Sequence, residues 1–107
     1  MKADEIKRQK VAEQYLSRIN LAVDYIEKNL SNDFSLDELA RVAGFSKYHF
    51  HRIFYIFSGE SLFQFIQRLR LEKAATTLIN HPARPVTEIA LECGFANSSS
   101  FAKFPGN

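Results

Sequence analysis

Apolar residues recur at Leu16, Ile19, Ala22, Val23, Ile26 and Leu30 within residues 9–30, and charges of both signs fill the positions between. Steps of three and four put these side chains on one side of an α-helix, so a helix is expected over that stretch. Residues 1–8 are charged and are expected to fray. After "SNDFS" the pattern resumes in "SLDELARVAG". Here Ser35 and Glu38 have the spacing of a capping box, in which each side chain satisfies an amide of the first turn. Gly44 follows in less than three turns, where a left-handed residue ends a helix. Ser46 can cap the next helix, which is expected to run to about Ser58.

Two short helices around a tight glycine turn form a helix-turn-helix. A longer helix fits "SLFQFIQRLRLEKAATTLI", with Leu62, Phe65, Ile66, Leu69, Ala74 and Leu78 on one side and Arg68 and Arg70 off that stripe. Pro82 and Pro85 stop it, because proline cannot continue a helix. Pro85 then suits the start of another.

The last part repeats the first. Shifted by fifty positions, "LDELARVAGF" at 36–45 lies over "VTEIALECGF" at 86–95, matching Glu38 with Glu88, Ala40 with Ala90, Gly44 with Gly94 and Phe45 with Phe95. Overlapping helical periodicities would align the apolar positions, but not also the Glu and the Gly-Phe pair. A duplicated unit accounts for both. The expected architecture is therefore all-α: two helix-turn-helix subdomains, each a homeodomain-like three-helix unit, joined by a long linker helix. The divisions are a helical N-terminal extension at 1–17, a first subdomain at 18–60, the linker at 61–80 and a second, incomplete subdomain at 81–107.

Composition fits this reading. With 107 residues, 46% hydrophobic, and only 4 Gly and 3 Pro, the chain suits a small helical core. One cysteine excludes an internal disulfide framework. With no signal peptide in view, a cytoplasmic location is expected, and no apolar run is long enough for a membrane span. The net charge of +2 says little, but its distribution says more. Between Leu39 and Leu71 the only carboxylate is Glu60, against Arg41, Lys47, Arg52, Arg68 and Arg70 with His49 and His51. A basic field of that kind favours a polyanion.

The helix beginning at Ser46 carries two stripes. Phe50, Ile53, Phe54 and Phe57 form the apolar one; Tyr48, His51, Arg52 and Tyr55 form the other, without a carboxylate. In a helix-turn-helix the second helix packs one stripe inward and offers the other to the major groove. Arg52 has the fork that matches guanine O6 and N7, and His51 can donate to the same acceptors. Tyr48 suits a thymine methyl or a sugar edge. Lys47 and the Ser46 hydroxyl, at the helix start, suit phosphates. The linker, about 28 Å long at 1.5 Å per residue, suits two such helices in grooves about 34 Å apart.

These pieces together resemble the DNA-binding domain of AraC/XylS-type transcription regulators, over about Arg18 to Lys103. The resemblance rests on "SLDELARVAGFSKYHFHRIF", "GESLFQFIQRLRLEKAATTLI" and "VTEIALECGFANSSSFAK". It implies base contacts from Tyr48, His51 and Arg52 in the first unit. In the second it implies base contacts from Ser98, Ser99 and Lys103 and a phosphate contact from Asn97. Arg70, Ala74 and Leu78 match the linker pattern and are expected to be structural. Double-stranded DNA is the implied partner and RNA polymerase a further candidate. No cofactor, metal or enzymatic activity is implied.

Three departures stand out. Tyr55 and Ile56 occupy positions where the family usually supplies Lys or Arg. "FAKFPGN" replaces the usual closing segment, with Phe104 one position early and Pro105 in place of an apolar anchor, so the second unit is expected to be shortened. Only a short extension precedes the domain, which places any effector-binding domain of the parent chain beyond residue 107.

Catalysis has no support in the pattern. Cys93 has no neighbouring His and is expected to be a small core residue, and His49, His51 and His81 lack metal-ligand spacing. The rival reading is a helical protein-interaction module that has lost DNA binding and works through Tyr48, Tyr55 and Ile56.

Overall fold

The computed structural model describes residues 2–95. Among them are five helices and no strand: α1 (Ala3–Lys28), α2 (Leu36–Ala43), α3 (Lys47–Ser58), α4 (Leu62–Asn80) and α5 (Val86–Glu92). Helix α1 starts at Ala3, within the stretch expected to fray. Asp4 and Glu5 in its first turn and Lys28 in its last oppose the helix dipole favourably.

Helices α1, α2 and α3 close around one core of Ile19, Ala22, Ile26, Leu30, Leu39, Ala40, Ala43, Phe45, Phe50 and Phe54. Leu62 and Ile66 from the start of α4 complete it. Leu16 belongs to the sequence stripe but is half exposed. It lies where α1 has begun to outrun the core.

The caps form at the predicted places, with one exchange of partner. Ser35 Oγ accepts from Glu38 N–H, but the Glu38 carboxylate does not return the bond to Ser35; it accepts from Tyr25 Oη at 2.5 Å. That contact raises the Tyr25 pKa, because a proton shared with a carboxylate is harder to remove. The complete capping box is at Ser61 and Gln64, which the sequence reading did not single out. Ser46 caps α3 by accepting from His49 N–H.

The duplication is visible in backbone geometry. Gly44 ends α2 at φ 78° and Gly94 follows α5 at φ 102°, both in the left-handed region. Phe45 N–H donates to Ala40 O at 2.9 Å, and Phe95 N–H donates to Ala90 O at 2.9 Å. Each turn also rests on an arginine. Arg18 donates to Ala43 O and Gly44 O, and its guanidinium lies 3.8 Å from the Phe45 ring centre. Arg70 donates from Nε to Leu30 O at 3.0 Å and from a terminal nitrogen to Asn32 O at 2.6 Å, and Gly94 packs against it. Arg18 on α1 thus corresponds to Arg70 on α4, two residues off the fifty-residue shift.

Helix α5 packs on α4. Ile89, Cys93 and Phe95 are buried there, and Leu71, Ala74, Leu78 and Val86 border an apolar cleft of about 310 Å³ between the two helices. Cys93 is a fully buried free thiol, as its position in the pattern suggested. No helix of the described residues is long and apolar enough to cross a membrane.

Candidate nucleic-acid interface

The outer side of α3 is set by what its inner side buries. Phe50 and Phe54 are almost wholly enclosed and Ile53 is half-buried, while Phe57, the last residue of the predicted apolar stripe, is exposed. A helix turns about 100° per residue, so the opposite side falls to Tyr48, Arg52 and Tyr55, with His51 beside them. All four are exposed. Tyr48 is 86% exposed, an unusual degree for a large aromatic ring. Neither His51 nor Arg52 has a hydrogen bond or ion pair within the described residues.

The start of α3 is also open. The Ser46 oxygen accepts from His49 N–H at 3.3 Å, which leaves its own O–H free to donate outward. Lys47 is exposed, with its nearest carboxylate, Asp37, at 4.0 Å. An exposed pair at that separation holds the lysine weakly. His49 instead turns toward α1, with edge contacts to Tyr15 at 5.4 Å and Phe45 at 5.0 Å between ring centres. It anchors the helix and is not part of the outward face.

The basic field is narrower than the sequence suggested. Arg68 is neutralised by Glu60 at 2.9 Å and Glu72 at 3.0 Å; these hydrogen bonds raise its pKa further. Arg70 is only 4% exposed, and burial lowers its pKa. Both therefore leave the field, Arg68 through an i,i+4 pair and Glu60, and Arg70 for a reason periodicity could not supply: its partners lie 40 and 38 residues away. What remains around α3 is Arg41, Lys47 and Arg52. Arg41 was counted only as background charge, but it is an exposed cation on α2, the helix that crosses the DNA backbone in this motif.

The described residues thus bring together Ser46, Lys47, Tyr48, His51 and Arg52 on one open surface. Asn97, Ser98, Ser99 and Lys103 lie outside them.

Comparison with known proteins identifies the domain. A family model described as a helix-turn-helix domain matches residues 39–105, more than half of the chain. The transcriptional activator AarP of Providencia stuartii is 39% identical over 79 residues, which cover 74% of this chain and 58% of that protein. The right origin-binding protein of Escherichia coli is 35% identical over 79 residues, 74% of this chain and 27% of its own length. An uncharacterised HTH-type transcriptional regulator of Staphylococcus aureus is 34% identical over 86 residues, only 11% of its length. The chain spans less than two thirds of each of these relatives. With two capped helices about the Gly44 turn, the same turn repeated at Gly94 and the match over 39–105, the chain belongs to the helix-turn-helix domains of AraC/XylS-type transcription regulators.

Proposed function

We propose that this chain binds double-stranded DNA by sequence, as the DNA-reading part of a transcription regulator, with α3 in the major groove. The observation that carries the reading is the outer face of α3. Tyr48, His51, Arg52 and Tyr55 are all exposed there, no carboxylate lies on the helix, and Arg52 has no partner among the described residues. A cation held free of internal ion pairs beside exposed rings suits base edges better than it suits plain solvent.

In this reading Arg52 grips a guanine through its two-pronged guanidinium. His51 donates to a neighbouring acceptor, and Tyr48 lies against a thymine methyl or sugar. Lys47 and the outward Ser46 O–H hold phosphates, and the free amides of the first α3 turn assist them. Ser98, Ser99 and Lys103 read bases in the second unit, and Asn97 holds a phosphate. Residues 18–60 and 81–107 act as the two reading units, with 61–80 between them and 1–17 as an extension. RNA polymerase and an effector-binding domain are the further partners of the parent protein, in the cytoplasm.

One observation favours a second reading. Ile56 is 68% exposed beside the exposed Tyr55, an apolar pair suited to a protein surface. Salt separates the two. Selection of duplexes from a random pool, followed by titration of the winner from low to physiological salt, should yield an enriched motif whose affinity falls steeply with salt. Absence of enrichment at every salt concentration would favour the protein-interaction reading.

A further inference from the structure

The extension of α1 does not project freely. Tyr15 meets His49, and further along Lys7, Arg8, Val11 and Ala12 share an apolar groove of about 420 Å³ with Ile53, Ile56 and Phe57. These pairings run in opposite directions along the two chains, so residues 7–15 of α1 run antiparallel to the C-terminal half of α3 across an open groove. Tyr15 is half-buried at this seam, while Val11 and Ala12 border the groove and stay exposed. Lys7 and Arg8 sit at its end, with no ion pair or hydrogen bond among the described residues. Asp4 and Glu5, the nearest carboxylates along the helix, come a turn earlier in α1.

The half of α3 beside this seam is the half that lacks cations. After Arg52 it reads Ile53, Phe54, Tyr55, Ile56, Phe57 and Ser58. A helix packed on α3 lies with its axis about 8–10 Å away. The major groove is about 12 Å wide, so it cannot admit both helices. With α3 inside the groove, a helix beside Ile53 and Ile56 lies outside it, to one side of the reading face and toward one of the two phosphate strands.

From this arrangement we infer that the α1 extension is a backbone clamp: Lys7 and Arg8 neutralise phosphates flanking the groove that α3 occupies. They replace the cations missing from the end of α3. The inference rests on the DNA reading above and adds a surface to it.

The test uses the full chain, its selected duplex and a scrambled duplex of equal length. Each is titrated with salt for the wild type, Lys7→Gln/Arg8→Gln and Lys10→Gln, with circular dichroism confirming equal helix content. Lys10 belongs to the same helical turns but does not line the seam. The double variant should weaken binding to both duplexes by the same factor and flatten the log–log salt slope by about 1.8, or 0.9 per phosphate. Lys10→Gln should leave the slope unchanged. The clamp is overturned if the double variant keeps the wild-type slope while the wild type binds, which would leave the Ile56–Phe57 groove to a protein partner. It is also overturned if Lys10→Gln flattens the slope by about 0.9, as much per charge as the double variant, since the effect would then be bulk charge. A wild type that binds neither duplex removes the DNA reading itself, and the clamp with it.

Discussion

Gly94 is pressed against Arg70: a Cβ added at Gly94 would fall 2.5 Å from the guanidinium Nε and closer still to the Leu30 carbonyl oxygen. Gly44 has the same left-handed backbone but more room, with Arg18 at 3.3 Å, and Gly59 meets nothing within 4 Å. Substitution by alanine should therefore rank the three. Gly59→Ala should cost about 1–2 kcal/mol, the strain of the left-handed conformation alone. Gly44→Ala should cost slightly more, because a guanidinium can shift. At Gly94 backbone strain of about 1–3 kcal/mol adds to overpacking of about 1–3 kcal/mol. Urea midpoints of the three variants test the order, and equal losses would contradict the packing argument.

Arg70 should not tolerate lysine. Its two donors serve Leu30 O and Asn32 O from separate nitrogens of one planar group, which an ammonium cannot reproduce. Arg70→Met should lose about 1–3 kcal/mol for the stranded buried carbonyl alone. Arg70→Lys should recover only part of this. Chemical denaturation of both variants gives the comparison.

Acid should loosen α5 through Glu92. Arg84 donates to both Glu88 and Glu92, and its hydrogen bond is the main reason the Glu92 pKa lies below its ordinary value of 4.5. A lowered folded pKa gives stability that is fully present above 4.5 and is lost as pH falls through the folded value. These groups are largely exposed, so the effect is small. Arg84→Ala should lower Tm near neutrality, and the gap from wild type should narrow at pH well below 4.5. A gap that widened in acid would reverse the sign.

On DNA, Arg52→Ala should cost about 1–3 kcal/mol on the selected site and relax one base position, with little effect on a scrambled duplex. Lys47→Ala should weaken both duplexes alike and flatten the salt slope by about 0.9. Competition binding across single-base variants of the site distinguishes these patterns.

The outer face of α3 was legible because it depends on local rules. Ser46, Gly44 and the Phe50–Phe54 stripe fix where α3 begins and how it is rotated, and rotation alone exposes Tyr48 and Arg52. The repeat was legible for the same reason, since a left-handed turn asks for glycine in both copies. What escaped was decided across distance. Tyr25, on α1, draws the Glu38 carboxylate of α2 away from its cap. Arg70 disappears under a loop that precedes it by forty residues. Residues 3–8 were expected to fray at the end of a helical extension, and instead they continue α1 from Ala3.

Helix α4 serves two bodies on one axis. Leu62 and Ile66 are buried in the first core, Arg70 holds the joint, and Ala74 and Leu78 face α5. Inserting one residue between Arg70 and Ala74 would shift everything beyond it by about 1.5 Å and turn it by about 100°. Ala74 and Leu78 would then swing away from α5, or carry it and Gly94 away from Arg70. The helix therefore works as a camshaft, with its lobes cut at fixed phase, and its residue count is as constrained as its composition.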